Sequence, residues 1–425
     1  MLIIRSLVYI TVYLIMIFPY SHLAEIQVGP IHIYVYEIPL MVLFYLSVIY
    51  LFLFSNGKIL DNKYAHLLGL ILFCMLVAFF IGRIYGYKTA TIIKGLRPYI
   101  YYLSGGLLLI YGKDLIKFKL VLIIIILGLI TQGIWGGYLL ITDPLEEIMR
   151  SGFRYPFRSG FWVPFVLFTV IYYFRYSKTE IPFVEKLFYS ISLIPLILFI
   201  VLAMNRTIWL VLFLMIIVYL LKNISIKRII KTAVISTLLL FMLFTIVNKY
   251  SHGKLLIEYL SNRFFITTVG EKAVESVWKN NRDRIFSSAF STFIEYPLLG
   301  TGAGYTYSWK VPVSGYHEKL IDKRITRTDV SLLNILVRSG IIGFSVSLYF
   351  ILIVWKELKR FIIYNNNILS KEILFIRGLY FYFPFLLLAS MNIPILFGYA
   401  APVIFSLLFA KVFIHNHNSE SLQYA

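Results

Sequence analysis

Arginines are concentrated in the polar stretches of this largely apolar chain. An arginine keeps its charge when partly desolvated, and its planar guanidinium can bind phosphate oxygens through two parallel hydrogen bonds. The residues concerned are Arg83, Arg97, Arg150, Arg154, Arg158, Arg206, Arg263, Arg282, Arg284, Arg324 and Arg327. They predict an anion site, such as one for a pyrophosphate. The alternative is contact with lipid headgroups and with acids such as Asp143, Glu146, Glu147, Glu271 and Glu275.

Arg206 and Asp329 each stand at the edge of an apolar run. Arg206 lies in the sequence AMNRTIWL, between two such runs, where an arginine is either functional or snorkels to the headgroups. Asp329 precedes an apolar helix and follows a basic segment. Its carboxylate could cap that helix by accepting free amide hydrogens, or act as a general base, and the two roles are compatible.

Glycines alternate in the sequence PLLGTGAG, which ends at Gly304. One interpretation is a loop that cradles phosphate, but no GK[ST] follows, so a nucleotide-binding P-loop is excluded. We predict instead that the chain re-enters tightly here after a surface helix over 285–296. That helix has an interfacial or core-facing stripe of Ile285, Ala289, Phe293 and Tyr296. No histidine has the company of metal ligands, and we predict neither a metal nor a cofactor.

The elements that position these residues are membrane spans. The chain has 425 residues, 60% of them hydrophobic, and apolar runs recur from end to end. We predict an all-α polytopic membrane protein with about twelve spans. The spans centre on Leu2–Pro19, Val35–Phe54, Leu67–Ile84, Pro98–Tyr111, Leu120–Ile141, Gly160–Phe174, Leu187–Met204, Ile208–Leu221, Thr232–Val247, Val330–Val354, Ile373–Met391 and Ile395–Phe413. We find no internal repeat and predict no broken helix, which disfavours a transporter.

Lysine-rich loops predict the orientation, because cytoplasmic loops of membrane proteins collect lysine and arginine. The same bias explains the net charge of +20 without nucleic acid. With the N-terminus in the cytoplasm, every inward loop is basic and the C-terminus is cytoplasmic too. Residues 1–247 then carry the earlier spans, 248–328 a large periplasmic loop containing amphipathic helices, and 329–414 the last spans. Residues 415–425 form a polar cytoplasmic tail that we expect to be disordered.

The motifs resemble a known superfamily of bacterial inner-membrane proteins. The sequences AMNRTIWL, NNRDRIFSSAF, EYPLLGTGAG and TDVSLLNILVRSGIIG look like the signature of O-antigen ligases and Wzy-type polysaccharide polymerases. The resemblance implies a GT-C-like fold and a metal-independent, inverting glycosyl transfer in the periplasm. The donor would be a glycan on undecaprenyl diphosphate, and the acceptor a lipid-linked glycan or the lipid A core. Membrane lipids and a chain-length regulator are further implied partners.

The resemblance also implies roles for individual residues. Arg206 and Arg282 would hold the diphosphate, and Phe286 stands where the family often has Trp. Many members read His-Asn where this chain reads Thr328-Asp329, so Asp329 would replace the histidine as the base, with His317 as a weaker substitute. The charge pattern, and not the resemblance, makes Arg154, Arg158, Arg284, Arg324 and Arg327 the remaining expected substrate contacts. The missing histidine favours a polymerase; a ligase and a lipid-linked oligosaccharide flippase are the alternatives.

Overall fold

A computed structural model describes residues 1–18, 25–28, 31–54, 62–142, 158–176, 182–202, 206–223, 286–313, 316–325, 331–365, 371–390 and 401–423. The first half of the described chain contains α1 (Leu2–Ile17), α2 (Glu37–Phe54), α3 (Lys63–Ile84), α4 (Thr89–Tyr102), α5 (Gly106–Tyr111) and α6 (Phe118–Thr142). The second half contains α7 (Trp162–Tyr176), α8 (Phe183–Leu202), α9 (Arg206–Asn223), α10 (286–295), α11 (Ser331–Tyr364), α12 (Lys371–Ser390) and α13 (Ala401–Gln423).

The helices lie where the hydrophobic runs predict them. Each predicted span contains a helix except Thr232–Val247, which lies outside the described residues. Three described helices are long and apolar enough to cross a bilayer, namely Lys63–Ile84, Leu333–Tyr364 and Glu372–Ser390. The structure therefore supports an α-helical membrane protein.

Two of these predicted spans are broken, contrary to the prediction of continuous helices. A 3-10 turn at Leu103–Gly105 separates α4 from α5, and α11 breaks at Gly340, where φ is +60° and ψ is −163°. Hydropathy cannot reveal such breaks, because apolar residues continue through both of them. Protein groups fill the first break: the Gly105 amide donates to Ser406 Oγ at 3.0 Å, and Ser104 Oγ donates to Tyr101 O at 2.6 Å.

The described chain also contains two β-hairpins, so it is not entirely α-helical. Strands β1 (Glu25–Val28) and β2 (Ile31–Tyr34) pair in the predicted first outer loop. Strands β3 (Tyr307–Val313) and β4 (Tyr316–Ile325) pair antiparallel in the large loop, where only helices were expected. A second difference is that α13 continues to Gln423, through most of the segment that was predicted to be disordered.

One end of the helix bundle, here called the basic end, is held together by charged side chains. The contacts are Arg5 Nη2 to Asp114 O (2.8 Å), Lys411 Nζ to Ile116 O (2.7 Å), Lys119 Nζ to Glu185 Oε2 (3.0 Å), Arg175 Nη1 to Tyr219 Oη (3.0 Å) and Asn416 Nδ2 to Glu357 O (2.9 Å). They join the starts of α1, α6 and α8 to the ends of α7, α9, α11 and α13. The starts of α9 and α11 therefore lie at the opposite end.

Candidate functional site

The opposite end, here called the glycine end, is built around the loop 296–304. Its amides are used by the protein itself: Thr301 N donates to Val337 O at 2.9 Å and Gly302 N to Arg338 O at 3.0 Å. Ala303 N donates to Ala78 O of α3 at 2.8 Å. Because these three consecutive amides are occupied, they cannot cradle a phosphate. The loop is the tight re-entry that the glycines predict.

The same loop repairs the break in α11. Carbonyl groups just before Gly340 lose their helical partners at the break, and the amides of Thr301 and Gly302 replace them. On the other side, Ile341 N donates to Pro297 O at 2.8 Å. Backbone groups left unpaired at membrane depth would each cost several kcal/mol, roughly. The loop and the kinked helix therefore form a single unit, here called the glycine unit, that fixes the position of the break in α11.

Glycines let this unit pack backbone against backbone. Gly300, Gly302, Gly304 and Gly340 all have positive φ, which glycine adopts without strain. A Cβ at Gly300 would lie 2.6 Å from Gly340 N, and one at Gly302 would collide with Gly82 N. Gly82 faces Ala303 O in the same way. Larger residues at these positions would separate α3, the loop and α11.

A pair of glycines in α3 tests this packing. Gly82→Ala should lower the free energy of unfolding by about 1–3 kcal/mol, because the new methyl group overlaps Ala303 O. Gly69→Ala, in the same helix, should be neutral or stabilising, since nothing lies within 4 Å of its added Cβ. Thermal unfolding of both purified variants in detergent measures the difference. Equal stabilities would contradict the backbone packing described here.

A buried arginine that was not among those considered for an anion site lies next to the loop. Arg338 is 5% exposed, and its Nη1 donates to Gly95 O of α4 at 3.3 Å. A Cβ at Gly95 would lie 3.1 Å from both this Nη1 and Gly304 N. The next residue, Ser339, shares a hydrogen bond with Tyr99 Oη at 3.2 Å. Arg338 lies inside the apolar run ILVRSGIIG, which is the signal that could have identified it. A charged side chain in such a run is costly unless it has an internal partner or a function.

The helix α10 presents three different faces. Ala289 is buried against Leu333 and Val337 of α11, and Phe293 packs against this cluster, so the predicted stripe is core-facing. A second stripe of Phe286, Phe290 and Ile294 is exposed, with Ile294 62% exposed. A third stripe is polar and exposed, and consists of Ser287, Ser291 and Glu295. Separate buried, exposed apolar and exposed polar faces are typical of an interfacial helix.

Arg97, one of the arginines considered for an anion site, has an internal partner. Its Nε lies 3.3 Å from Glu37 Oε1, and both side chains are buried. Glu37 also accepts hydrogen bonds from Tyr34 N at 2.8 Å and Tyr101 Oη at 2.5 Å. The guanidinium lies over the Tyr34 ring, 5.0 Å from its centroid. This residue therefore ties the first hairpin to α4. It forms a salt bridge, as the alternative interpretation expects, but with Glu37, which was not among the acids considered.

The predicted site residues are placed as follows. Arg206 is the first residue of α9. Because Tyr219, near the other end of this helix, lies at the basic end, α9 begins with Arg206 at the glycine end. Arg158 begins a 3-10 turn before α7, and His317 and Arg324 lie on β4, where the register pairs Arg324 with Ser308. Outside the described residues lie Arg154, Arg282, Arg284, Arg327 and Asp329, together with the acids considered as their partners.

Tyrosines surround the loop at the glycine end. Burial raises the pKa of Tyr87 above its ordinary value, and the neighbouring Tyr305, Tyr296 and Tyr85 raise it further. The pKa of Tyr296 is raised chiefly by its hydrogen bond with Glu295. The phenols of Tyr87 and Tyr296 therefore stay protonated at neutral pH and can donate hydrogen bonds. Among the described residues, no group of three or more His, Cys, Asp or Glu side chains could hold a metal ion.

These features define a polytopic helical membrane protein with a polar, glycine-locked unit at one end. Residues 191–348 match the model of a protein family described as O-Antigen ligase. The match begins in α8 and ends in α11, after the break at Gly340. It covers Arg206, Asp329, the loop 296–304 and the break itself. The match supports the resemblance to the O-antigen ligase and Wzy-type superfamily for this part of the chain. No curated protein matches the chain significantly.

Proposed function

We propose that the protein is a membrane glycosyltransferase that polymerises lipid-linked repeat units of a surface polysaccharide, such as O-antigen, capsule or exopolysaccharide. The donor is a glycan on undecaprenyl diphosphate and the acceptor is a sugar hydroxyl of another lipid-linked unit. The observation that carries the proposal is the match to the O-antigen ligase family at 191–348, which covers the loop 296–304, the break at Gly340 and the start of α9. An O-antigen ligase that transfers the glycan to the lipid A core is the alternative within the family.

The two ends of the bundle support a periplasmic site. Lysines and arginines are numerous at the basic end, where Lys113, Lys117, Lys119, Lys356 and Lys359 are near the charged contacts. The positive-inside bias assigns that end to the cytoplasm. The glycine end then faces the periplasm of a bacterial inner membrane, and both chain termini are cytoplasmic. Arg206 and the start of α11 are consequently on the side where lipid-linked glycans are displayed.

In the proposed reaction, the acceptor hydroxyl attacks the anomeric carbon of the donor sugar from the face opposite the diphosphate. Asp329 takes the proton of that hydroxyl as a general base. The bond between the anomeric carbon and the diphosphate oxygen breaks, and undecaprenyl diphosphate leaves with the electron pair. Arg206 and Arg282 stabilise the charge that develops on the leaving diphosphate. The transfer inverts the anomeric configuration and requires no metal in this proposal.

The remaining arginines would orient the substrates. Arg154, Arg158, Arg284, Arg324 and Arg327 belong to segments predicted to be periplasmic, and a guanidinium fork suits phosphate or acidic sugar groups. His317, on β4, is a further candidate for a substrate contact and the second candidate for the base. Asp329 stands two residues before Ser331 in the sequence, where α11 begins at the glycine end.

A deletion strain tests the function and separates polymerase from ligase. Loss of the protein should remove long glycan chains and leave single units attached to lipid A or its equivalent, as resolved on a glycan gel. Lipid A without any attached unit would identify a ligase instead. An unchanged chain-length profile would contradict both functions.

The two broken helices raise a second candidate, because discontinuous helices commonly form substrate sites in transporters. Here the break at Gly340 is filled by the loop 296–304, and the break at Leu103–Gly105 by Ser406. Neither break needs a substrate to satisfy its backbone. A lipid-linked oligosaccharide flippase would be indicated if the deletion strain accumulated the lipid-linked unit in the cytoplasmic leaflet.

A further inference from the structure

Four tyrosines from separate parts of the chain meet at the glycine end. Tyr85 and Tyr87 lie between α3 and α4, Tyr296 follows α10, and Tyr305 follows the glycine loop; together they are called the tyrosine platform. The Tyr85 ring centroid is 5.5 Å from that of Tyr296, with the rings at 77°, and 6.1 Å from that of Tyr87. The Tyr85 and Tyr296 rings are therefore nearly perpendicular, with the edge of one ring against the face of the other.

The platform is rigidly supported but open to the outside. Tyr87 packs against Gly304, where an added Cβ would lie 3.1 Å from the Tyr87 Cβ. Tyr305 Oη shares a hydrogen bond of 3.0 Å with Thr292 Oγ1 of α10. Tyr85 itself is 44% exposed. The supporting rings are thus fixed by the glycine unit, and the Tyr85 ring remains accessible to a ligand.

The chemistry of this surface suits a sugar ring. One face of a pyranose presents C–H groups, which the negative face of an aromatic ring attracts, and its edge presents hydroxyl groups. Phenols both donate and accept hydrogen bonds, and a carboxylate accepts them from hydroxyls. The exposed Glu295 supplies that carboxylate directly beside Tyr296. We propose that the tyrosine platform and Glu295 form a binding subsite for a sugar ring of the glycan substrate.

The alternative occupant is the membrane interface, where tyrosines are also enriched. The faces of α10 argue against it. The exposed apolar stripe of Phe286, Phe290 and Ile294 lies on one side of the helix, whereas Tyr296 continues the line of Ala289 and Phe293 and directly follows the exposed Glu295. An exposed carboxylate beside anionic headgroups would also be unfavourable. Through Glu295, the platform therefore borders the polar, exposed face of α10 and not its exposed apolar stripe.

This inference rests on the proposed function, which supplies the glycan. The first experiment measures binding alone, by saturation-transfer difference NMR on the full-length protein in nanodiscs. The probe is the repeat-unit oligosaccharide released by mild acid from the lipid-linked pool of the source cells. We expect the saturation of its ring protons to fall at least fivefold in Tyr85→Leu and to be largely retained in Tyr85→Phe. Tyr138→Leu is the matched control, since Tyr138 is an exposed tyrosine outside the platform, near the C-terminal end of α6.

Equal saturation in Tyr85→Leu and the unsubstituted protein would overturn the inference. A second experiment follows glycan extension with purified lipid-linked units and varies donor and acceptor separately. A KM raised about tenfold for only one of them, with kcat unchanged, would assign the subsite to that substrate. Unchanged KM values for both in Tyr85→Leu would also overturn it. Absence of extension by the unsubstituted protein would instead contradict the proposed function and leave the NMR result as the measure of the subsite.

Discussion

Replacing Arg206 with alanine is expected to abolish glycan chain extension while the protein still inserts and folds. Arg206 begins α9 at the glycine end, and a cation there would stabilise the leaving diphosphate. Loss of one such fixed donor typically lowers the rate by about 10²–10³-fold. Arg282→Ala should have a similar effect if both arginines bind the same diphosphate. The measurement is the chain-length profile of a deletion strain that carries each variant.

Two control variants make this prediction specific. Arg206→Lys keeps the charge but loses the planar fork, so it should retain part of the activity. Arg360→Ala removes a partly exposed arginine at the basic end, whose Nη1 lies 3.0 Å from Oε1 of the buried Glu357. Asn416 Nδ2 still donates to that carboxylate in the variant, at 2.8 Å. Arg360→Ala should leave the profile unchanged. Normal chain lengths in both Arg206→Ala and Arg282→Ala, at normal protein levels, would exclude the diphosphate role.

The helical scaffold could be predicted from the sequence because a bilayer imposes a length on every apolar run. That constraint is strong enough to place α1, α2, α3 and α12 within a few residues of their observed bounds. The alternating glycines that end at Gly304 likewise predict a tight bend of the chain. The sequence does not predict which residues these glycines contact, since the contact with Gly82 joins residues far apart in the chain.

The internal roles of charged residues were the least predictable part. Arg97 and Arg338 lie in sequence surroundings that do not reveal their internal partners. Those partners are distant in the sequence: Glu37 for Arg97, and the carbonyl of Gly95 for Arg338. The hairpin β3–β4 was missed for a related reason, because its alternation of apolar and polar residues is short and sits in a basic segment.

Asp329→Asn is expected to stop turnover, and it separates the two roles that the sequence leaves open. Asparagine caps a helix about as well as aspartate, so a residue that serves only as a cap would tolerate the change. An amide cannot accept the proton of the acceptor hydroxyl, and loss of a general base typically lowers the rate by about 10²–10⁴-fold. Extension kinetics on the purified variant, with thermal unfolding as the check on folding, provide the measurement.

The variant Asp329→His adds a test that a cap could not imitate. A base works only when deprotonated, so activity should fall on the acidic side near the pKa of the residue, about 3.9 for an ordinary Asp and about 6.5 for an ordinary His. The acidic limb of the pH–rate profile should therefore move upward by two to three pH units, roughly, in this variant. His317→Gln in parallel should leave the limb in place. If Asp329→Asn extends glycans at the full rate, Asp329 is a helix cap and the base is another residue, with His317 the first to be examined.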